Sequence, residues 1–453
     1  MSALADRLRG IVVGRATPPN REGAAGAPGS GAPGGPDKVR PTGSVDEAAE
    51  LLGGEWRELR GERFLVIDRK YVPGHRHGHM AIADTLPPDE GCWSRFPLLN
   101  GSTIHSPCDG RMLFLDLETT GIAGGAGSYA FLVGCAWYQD GCLRVRQFFL
   151  SNFASERVLL EAVAEVAALC GAVVTYNGKS FDLPLIETRF QLHRLETPFA
   201  GMPHVDMLHP ARRLWRDDAP DDGRRDDLAG RPSMGRLSGG CRLTALEQTL
   251  CGHVREGDVP GFEIPSRYFH FVRTGDPRGL AAVMEHNRLD LISLAMLAAR
   301  ASQLLEDGPA TARTGREALG MGRLYECAGM TVEARAAFLR AAEHRDTDTV
   351  SCADAWRAYA VLSRRERRFA DAAHGWRRIL ELGECPPALQ REASEALAVH
   401  HEHRLRDLQA ARAFALQSLN VNSTRLRHEA TQHRLARLDR KLGESDAVYA
   451  SLF

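Results

Sequence analysis

Residues 111–121 read Arg-Met-Leu-Phe-Leu-Asp-Leu-Glu-Thr-Thr-Gly, and this stretch decides the fold. The apolar run 112–115 predicts a buried strand that leads directly into Asp116 and Glu118. Residues two apart on a strand point to the same face, so the two carboxylates lie side by side. Like charges on an apolar strand repel each other and lose hydration, and a divalent cation would compensate for both costs. We therefore expect this strand to form one part of a metal site.

The composition is that of an ordinary globular protein. The chain has 453 residues, enough for two or three domains, with 43% hydrophobic and 25% charged residues. Its formal net charge of −1 provides no global basic field, so any nucleic-acid site must be local and metal-assisted. The ten cysteines include no CxxC pair, which argues against zinc ribbons and thioredoxin-type sites. Without a signal-peptide core or an apolar run of 18 residues, we expect a cytoplasmic protein that does not enter membranes.

The chain divides into four predicted parts. Residues 1–43 are rich in Gly, Pro and Ala and predict a disordered N-terminus, and residues 44–105 form a flanking segment. Residues 106–303 show three strand patterns, then strands alternating with helices, which predicts an α/β sheet of the ribonuclease H type. Residues 217–240 interrupt this domain with a charged, Gly-rich insertion, for which a solvated loop is the simplest interpretation.

Residues 312–453 predict an all-helical repeat domain. The segments 333–338, 371–376 and 409–414 align at an offset of 38 residues, each with small residues followed by one aromatic. The pattern resembles tetratricopeptide repeats, with a plain helical bundle as the alternative. Helical-repeat surfaces usually bind peptides or helices, so we expect a protein partner.

A histidine-rich stretch lies outside these patterns. His75, His77 and His79 alternate in a Gly/Pro-rich context, a spacing compatible with metal binding. No acidic or Cys residue adjoins them in the sequence. We therefore expect an exposed or substrate-facing loop.

Four acids begin or end elements of the middle domain: Asp116, Glu118, Asp182 and Asp290. Carboxylate oxygens suit hard cations such as Mg²⁺ or Mn²⁺. Two such cations, about 3.5–4 Å apart, neutralise the charges that develop when a phosphodiester is cleaved. His286 lies one helical turn before Asp290, where an imidazole would be placed to accept a proton from the attacking water. These residues together predict a two-metal nuclease site.

Three motifs, in this order, carry a family resemblance. They are Asp-Leu-Glu-Thr-Thr-Gly at 116–121, Tyr-Asn-Gly-Lys-Ser-Phe-Asp at 176–182 and His-Asn-Arg-Leu-Asp at 286–290. The chain resembles the DEDD superfamily of 3′–5′ exonucleases and, more narrowly, the YprB-type ribonuclease H-like family. Further matching segments lie at 124–127, 204–206 and 257–264, and the resemblance covers roughly residues 60–300.

The resemblance implies a ribonuclease H-like fold with two metals, held by the four acids, and His286 as general base or water-orienting group. Asn177, Lys179 and Phe181 would line the site. Lys179 would contact a phosphate as a point charge, and Phe181 would either stack on a base or anchor the core. Thr119 and Thr120 would present backbone groups to a terminal nucleotide.

The chain departs from the family pattern in two places. The spacing from His286 to Asp290 is that of tyrosine-type exonucleases, yet the residue is His, and the insertion 217–240 is longer than expected. The favoured function is an exonuclease-like phosphodiesterase acting on a single-stranded RNA or DNA end. The alternatives are a nucleic-acid-binding adaptor with little turnover and a structure-specific endonuclease.

Overall fold

The computed structural model describes residues 45–88, 93–100, 110–121, 127–215, 241–383, 385–419 and 425–450. The predicted disordered N-terminus, the glycine-rich segment 124–127 except Gly127, and the insertion 217–240 lie outside the described residues.

A mixed sheet forms the centre of the fold. The strands are β1 (Glu55–Leu59), β2 (Glu62–Tyr71), β3 (Arg76–His77), β4 (Met80–Ala81), β5 (Arg111–Thr119), β6 (Ala130–Gln139), β7 (Cys142–Phe149), β8 (Cys170–Thr175) and β9 (His204–Asp206). Seven of them pair in the order β1-β2-β7-β6-β5-β8-β9, while β3 and β4 form a separate hairpin. β8 pairs in parallel with both β5 and β9, and the other pairs of the sheet are antiparallel. This arrangement confirms the predicted ribonuclease H-like α/β fold.

Helices cover both faces of the sheet. They are α1 (Val45–Leu52), α2 (Glu156–Ala167), α3 (Asp182–Leu192), α4 (Leu208–Leu214), α5 (Leu243–Leu246), α6 (Ile264–Thr274) and α7 (Ala281–Asp307). A π-helical turn, Glu247–Cys251, continues α5.

The alternation of side chains along β5 decides which face carries the acids. Leu113 and Leu115 belong to the core that contains Val163 of α2. Met112 and Phe114 belong to the opposite core, which contains residues of α7. Asp116 and Glu118 continue the second series because side chains alternate along a strand, and they therefore lie on the α7 face.

The C-terminal region consists of paired helices, as predicted. The helices are α8 (Gly315–Cys327), α9 (Thr331–Glu343), α10 (Thr349–Arg365), α11 (Phe369–Glu381), α12 (Pro387–His400), α13 (Leu408–Leu419) and α14 (Arg425–Ala450). The aligned segments fall on the second helix of each pair, and the aromatics Phe338 and Trp376 are buried. Small alanines, such as Ala337 and Ala373, are buried beside them and allow the paired helices to approach closely.

The hydrophobic core continues from the sheet into the paired helices. One buried cluster extends from Tyr71 to Leu397. Trp215 Nε1 donates a hydrogen bond to Glu317 Oε1 at 3.0 Å, and the Tyr325 hydroxyl donates to the Leu305 carbonyl at 2.8 Å. The domain boundary near residues 303–312 stays a prediction. Separating the chain there would expose apolar surface of this shared core on both parts. Among the described residues, none of the helices has the length and apolar character needed to span a membrane.

Candidate nuclease site

The end of β5 meets the first turn of α3. Asp116 and Glu118 project from β5, and Asp182 is the first residue of α3. The Leu117 backbone N–H donates a hydrogen bond to the Asp182 carboxyl. Leu117 lies beyond the last residue of β5 that pairs with β8, so its N–H is available to the side chain. The divergence of the two strands thus admits a carboxylate from a third element.

The helix α7 supplies the other two predicted residues. His286 and Asp290 lie four residues apart on one face, and the imidazole Nε2 is 3.6 Å from Asp290 Oδ2. The same Nε2 lies 3.9 Å from Glu118 Oε1 on β5. These side chains are 13–17% exposed, so the helix and the strand form a shared, partly open cleft.

The four carboxyl groups influence one another electrostatically. Burial raises the pKa of Asp116 and of Glu118 well above the usual values, and neighbouring Asp290 and Asp182 raise them further. Burial also raises the pKa of Asp182, to about 7, with contributions from Asp206 and Asp290. The pKa of Asp290 is raised by burial, although Arg255 and His286 oppose the shift. The structure therefore brings all four predicted acids and His286 into one cluster.

The carboxylates are not packed around a single point. Among the described residues, no three of these four acids have oxygens that all lie within 4.8 Å of one another. Two cations about 3.5–4 Å apart, each bound at about 2.1 Å, need ligands spread more widely than one ion does. The spacing is that of a shared cleft rather than of a cage for one ion.

A buried amide pair orients Asp116, and the sequence analysis missed it. Asn287 Nδ2 donates to Asp116 Oδ2 at 2.7 Å, and Gln147 Nε2 donates to Asn287 Oδ1 at 2.8 Å. A Cβ atom at Gly134 would lie 2.4 Å from Asn287 Oδ1, so only glycine leaves room for this contact. Asn287 stands beside His286 in the motif, which was the available signal, whereas nothing local marked Gln147.

Two further charged residues come from the segment before α6. Arg255 Nη2 donates to Asp290 Oδ1 at 2.5 Å, and Arg255 Nε donates to Glu247 Oε2 at 2.6 Å. Asp258 Oδ1 is 2.6 Å from His286 Nδ1. Hydrogen bonding and the charge of His286 outweigh burial and lower the pKa of Asp258. The signal for Asp258 was its place in the matching segment 257–264, but its role depends on a contact across 28 residues.

The predicted substrate-binding residues lie at the edge of the cluster. Phe181 is 57% exposed, so the alternative of a core anchor is wrong. Lys179 is exposed beside it. The backbone N–H of Thr120 donates to Tyr129 O at 3.0 Å, and the Thr119 hydroxyl donates to Gly121 O at 3.0 Å. The Thr120 N–H and the Thr119 hydroxyl are thus hydrogen-bonded within the protein, and fewer donors remain there for a terminal nucleotide than expected.

Asp206, at the end of β9, holds the loop that carries Asn177 and Lys179. Its carboxylate accepts hydrogen bonds from the N–H groups of Asn177 at 2.7 Å and Lys179 at 3.1 Å. Asn177 has a left-handed φ of 64°, and a Cβ at Gly178 would lie 2.8 Å from Asp182 Oδ2. The loop is thus fixed close to the acids because a buried carboxylate replaces the partners that a strand would provide.

Two comparisons with known proteins bear on this cluster. A model of the RNase_H superfamily matches residues 113–302. The chain is 29% identical over 386 residues to the Bacillus subtilis (strain 168) protein named "Uncharacterized protein YprB", and the alignment covers 84% of this chain and 86% of the relative. The matched region begins within β5 and ends within α7, so it includes all four acids and His286. The expected resemblance is therefore confirmed, and residues 113–302 form a domain of the RNase_H superfamily.

Proposed function

We propose that the protein is a metal-dependent nuclease, a 3′–5′ exonuclease-like phosphodiesterase acting on a single-stranded RNA or DNA end. One observation carries the proposal: four carboxylates from β5, α3 and α7 meet beside an imidazole in a domain of the RNase_H superfamily. Nucleases commonly use such a set of carboxylates to bind metal ions, because the ions offset the negative charge of the phosphodiester, which carboxylates alone would repel.

The donor set fits two Mg²⁺ or Mn²⁺ ions. The four acids offer only oxygen ligands, and burial together with mutual repulsion disfavours their ionised forms in the absence of a cation. Asp116, Glu118, Asp182 and Asp290 would hold the ions. Bound there, the ions would neutralise phosphate charge and favour ionisation of the attacking water.

His286 would accept the proton of the attacking water. Asp258 faces Nδ1 at 2.6 Å, so the hydrogen bond at Nδ1 leaves the lone pair on Nε2. Nε2 faces the cluster, 3.6 Å and 3.9 Å from oxygens of Asp290 and Glu118. An attacking water held among these oxygens would transfer its proton to Nε2.

The loop 177–181 would bind the substrate strand. Lys179 provides an exposed cation next to the acids, where a phosphate passes, and the exposed Phe181 provides a flat apolar face for a base. Asp206 keeps this loop rigid through the backbone of Asn177 and Lys179.

A time course with end-labelled substrates tests the proposal. Single- and double-stranded RNA and DNA are incubated with Mg²⁺, Mn²⁺ or EDTA, using wild type, Asp116→Asn and the control Asp140→Asn in the β6–β7 turn. We expect a ladder from the 3′ end with wild type and the control, and none with Asp116→Asn or EDTA. Equal hydrolysis by Asp116→Asn would mean that a contaminant cuts the substrate.

The other outcomes separate the alternatives. An internal cut without a ladder would favour a structure-specific endonuclease. Binding of the oligonucleotide without any product would favour an adaptor. Both results would overturn the exonuclease proposal.

The paired helices are proposed to bind a protein partner. A cavity of about 330 Å³ between α11 and α12 is lined by Phe369, Trp376, Val399 and Arg404, among others. Such grooves between helix pairs accept apolar side chains of peptides. Val399→Glu should abolish capture of a partner that cross-links to the wild type, and unchanged capture would contradict this site.

A further inference from the structure

The histidine-rich stretch 75–79 packs against the segment after the π-helical turn. The His79 N–H donates a hydrogen bond to the Cys251 carbonyl at 2.7 Å. Gly78 and Gly252 both have left-handed φ angles, 61° and 69°. A Cβ at Gly78 would lie 2.0 Å from Cys251 O, so the two turns approach as closely as backbones allow. The expectation of an exposed loop is therefore wrong for His77, which is 3% exposed.

The close packing of these two turns brings together three side chains of metal-binding type that are distant in sequence. His77 Nε2 lies 2.7 Å from Glu247 Oε1, and His253 Nε2 lies 3.9 Å from the same oxygen. In the part of the chain that the structure describes, no other set of three or more His, Cys, Asp or Glu side chains has donor atoms that all lie within 4.8 Å of one another. None of the three is among the acids of the nuclease cluster.

Glu247 Oε1 is the centre of this group. The Glu247 side chain is 1% exposed. Its Oε2 accepts a hydrogen bond from Arg255 at 2.6 Å, and the carboxylate is also hydrogen-bonded by His77 and Ser293. A buried carboxylate oxygen that faces two imidazole nitrogens is placed to bind a cation together with them.

We propose that His77, Glu247 and His253 bind one Zn²⁺ ion, separate from the carboxylate cluster. Two imidazole nitrogens and one carboxylate oxygen are ligands typical of zinc, while the all-carboxylate cluster suits Mg²⁺ or Mn²⁺. Ligands at about 2.1 Å in a tetrahedral arrangement lie roughly 3.4 Å apart. The observed separations of 2.7 and 3.9 Å bracket that value.

Small movements complete the site. The two imidazole rings lie stacked, with centroids 4.0 Å apart and planes inclined by 22°, so both must open outward to direct their lone pairs at one ion. His253 is 27% exposed and has room to turn. Ser293 Oγ lies 3.0 Å from His77 Nε2. A water would take the fourth position.

The bound ion would tie the β3–β4 hairpin to the π-helical turn. It would also fix the position of Glu247. Arg255 Nε donates a hydrogen bond to Glu247, and Arg255 Nη2 donates one to Asp290. The bound ion would thus support one wall of the nuclease cluster through Arg255.

Metal analysis of the full-length protein tests this proposal independently of hydrolysis. Metal-free protein is titrated with Zn²⁺ and, in parallel, with Co²⁺ as a spectroscopic probe. The variants are His253→Gln, chosen because this side chain is partly exposed, and the control His79→Gln from the same hairpin. Asp116→Asn weakens the carboxylate cluster, so it separates zinc bound there from zinc bound at the histidines. Circular dichroism checks that each variant is folded.

We expect one tightly bound Zn²⁺ per chain in wild type, His79→Gln and Asp116→Asn, and at least a 10-fold weaker affinity in His253→Gln. The wild-type Co²⁺ complex should show the intense visible bands of a four-coordinate site. Wild type that binds no Zn²⁺, or equal binding by His253→Gln, would overturn the proposal. Zinc lost in Asp116→Asn but kept in His253→Gln would place the ion among the carboxylates and overturn it too. If His253→Gln does not fold, the Co²⁺ spectrum of the wild type decides, since weak six-coordinate bands contradict the site.

Discussion

Replacing Asp182 with Asn should stabilise the metal-free protein, and more so at high pH. Asn keeps an oxygen that accepts the Leu117 N–H but carries no charge. Burial, with Asp206 and Asp290, raises the pKa of Asp182 from 3.8 to about 7. Between these values the unfolded chain ionises its carboxyl while the folded protein resists ionisation. The wild type therefore loses stability as pH rises from about 4 to 7, and above pH 7 the loss is constant.

The size of the effect follows from the shift in pKa. One pKa unit corresponds to about 1.4 kcal/mol, so the loss reaches about 1.6 kcal/mol at pH 5 and about 4 kcal/mol at pH 8. The advantage of Asp182→Asn over wild type should thus grow by roughly 2–3 kcal/mol between pH 5 and pH 8. Asp182 is only partly accessible to solvent, so screening by water does not cancel the effect.

Urea unfolding in EDTA at both pH values, followed by tryptophan fluorescence, measures this difference. Asp276→Asn is the control, because hydrogen bonds from Arg278 lower the pKa of Asp276, so no comparable gain at high pH is expected. Excess Mn²⁺ should reverse the sign, since an ionised Asp182 then binds a cation. An advantage of equal size at pH 5 and pH 8 would refute the reasoning, because it would show that the folded protein does not hold this carboxyl protonated.

Two further predictions concern groups beside the cluster, and a third concerns a buried ion pair. Asn287→Leu removes the hydrogen bond to Asp116 and should weaken Mn²⁺ binding about 10- to 100-fold by calorimetry, and unchanged affinity would exclude an orienting role. Gly134→Ala places a Cβ 2.4 Å from Asn287 Oδ1 and should cost about 1–3 kcal/mol, seen as a lower Tm; an unchanged Tm would mean that Asn287 moves away freely. Glu156→Gln leaves buried Arg189 without its charge partner and should cost about 3–5 kcal/mol, while the double variant Glu156→Gln/Arg189→Met should recover part of the Tm; no recovery would contradict the pairing.

The fold could be predicted because its signals are local. Apolar strands of five to ten residues, the Asp140-Gly141 turn with φ angles of 51° and 66°, and the 38-residue offset each appear within a short window. The strand order could not be read in the same way. β1 and β2 come from the segment predicted only to flank the domain, yet β2 pairs with β7, 78 residues away at Asp68 and Arg146.

The four acids could be predicted because their signals are also local. The residues that hold them in place could not be predicted. Asp116 and Glu118 stand together on one strand, and His286 and Asp290 stand one turn apart on one helix, so periodicity alone groups each pair. Asp258 contacts His286 across 28 positions of the chain, and Arg255 contacts Asp290 across 35. Gln147 contacts Asn287, which orients Asp116, across 140 positions. Such contacts leave no periodic signal, because they depend on which elements the fold packs together.

The sequence by itself determined the type of the main elements around the motifs, the order of the motifs and the side-by-side placement of Asp116 and Glu118 on one face of β5. These properties follow from backbone periodicity, which is the same in any protein. Only the tertiary structure decided that His77, Glu247 and His253 meet, that Asp258 faces His286, and that Phe181 is exposed. The physical reason is that burial and charge pairing depend on distances between segments remote in sequence, and those distances exist only once the sheet and its helices have packed.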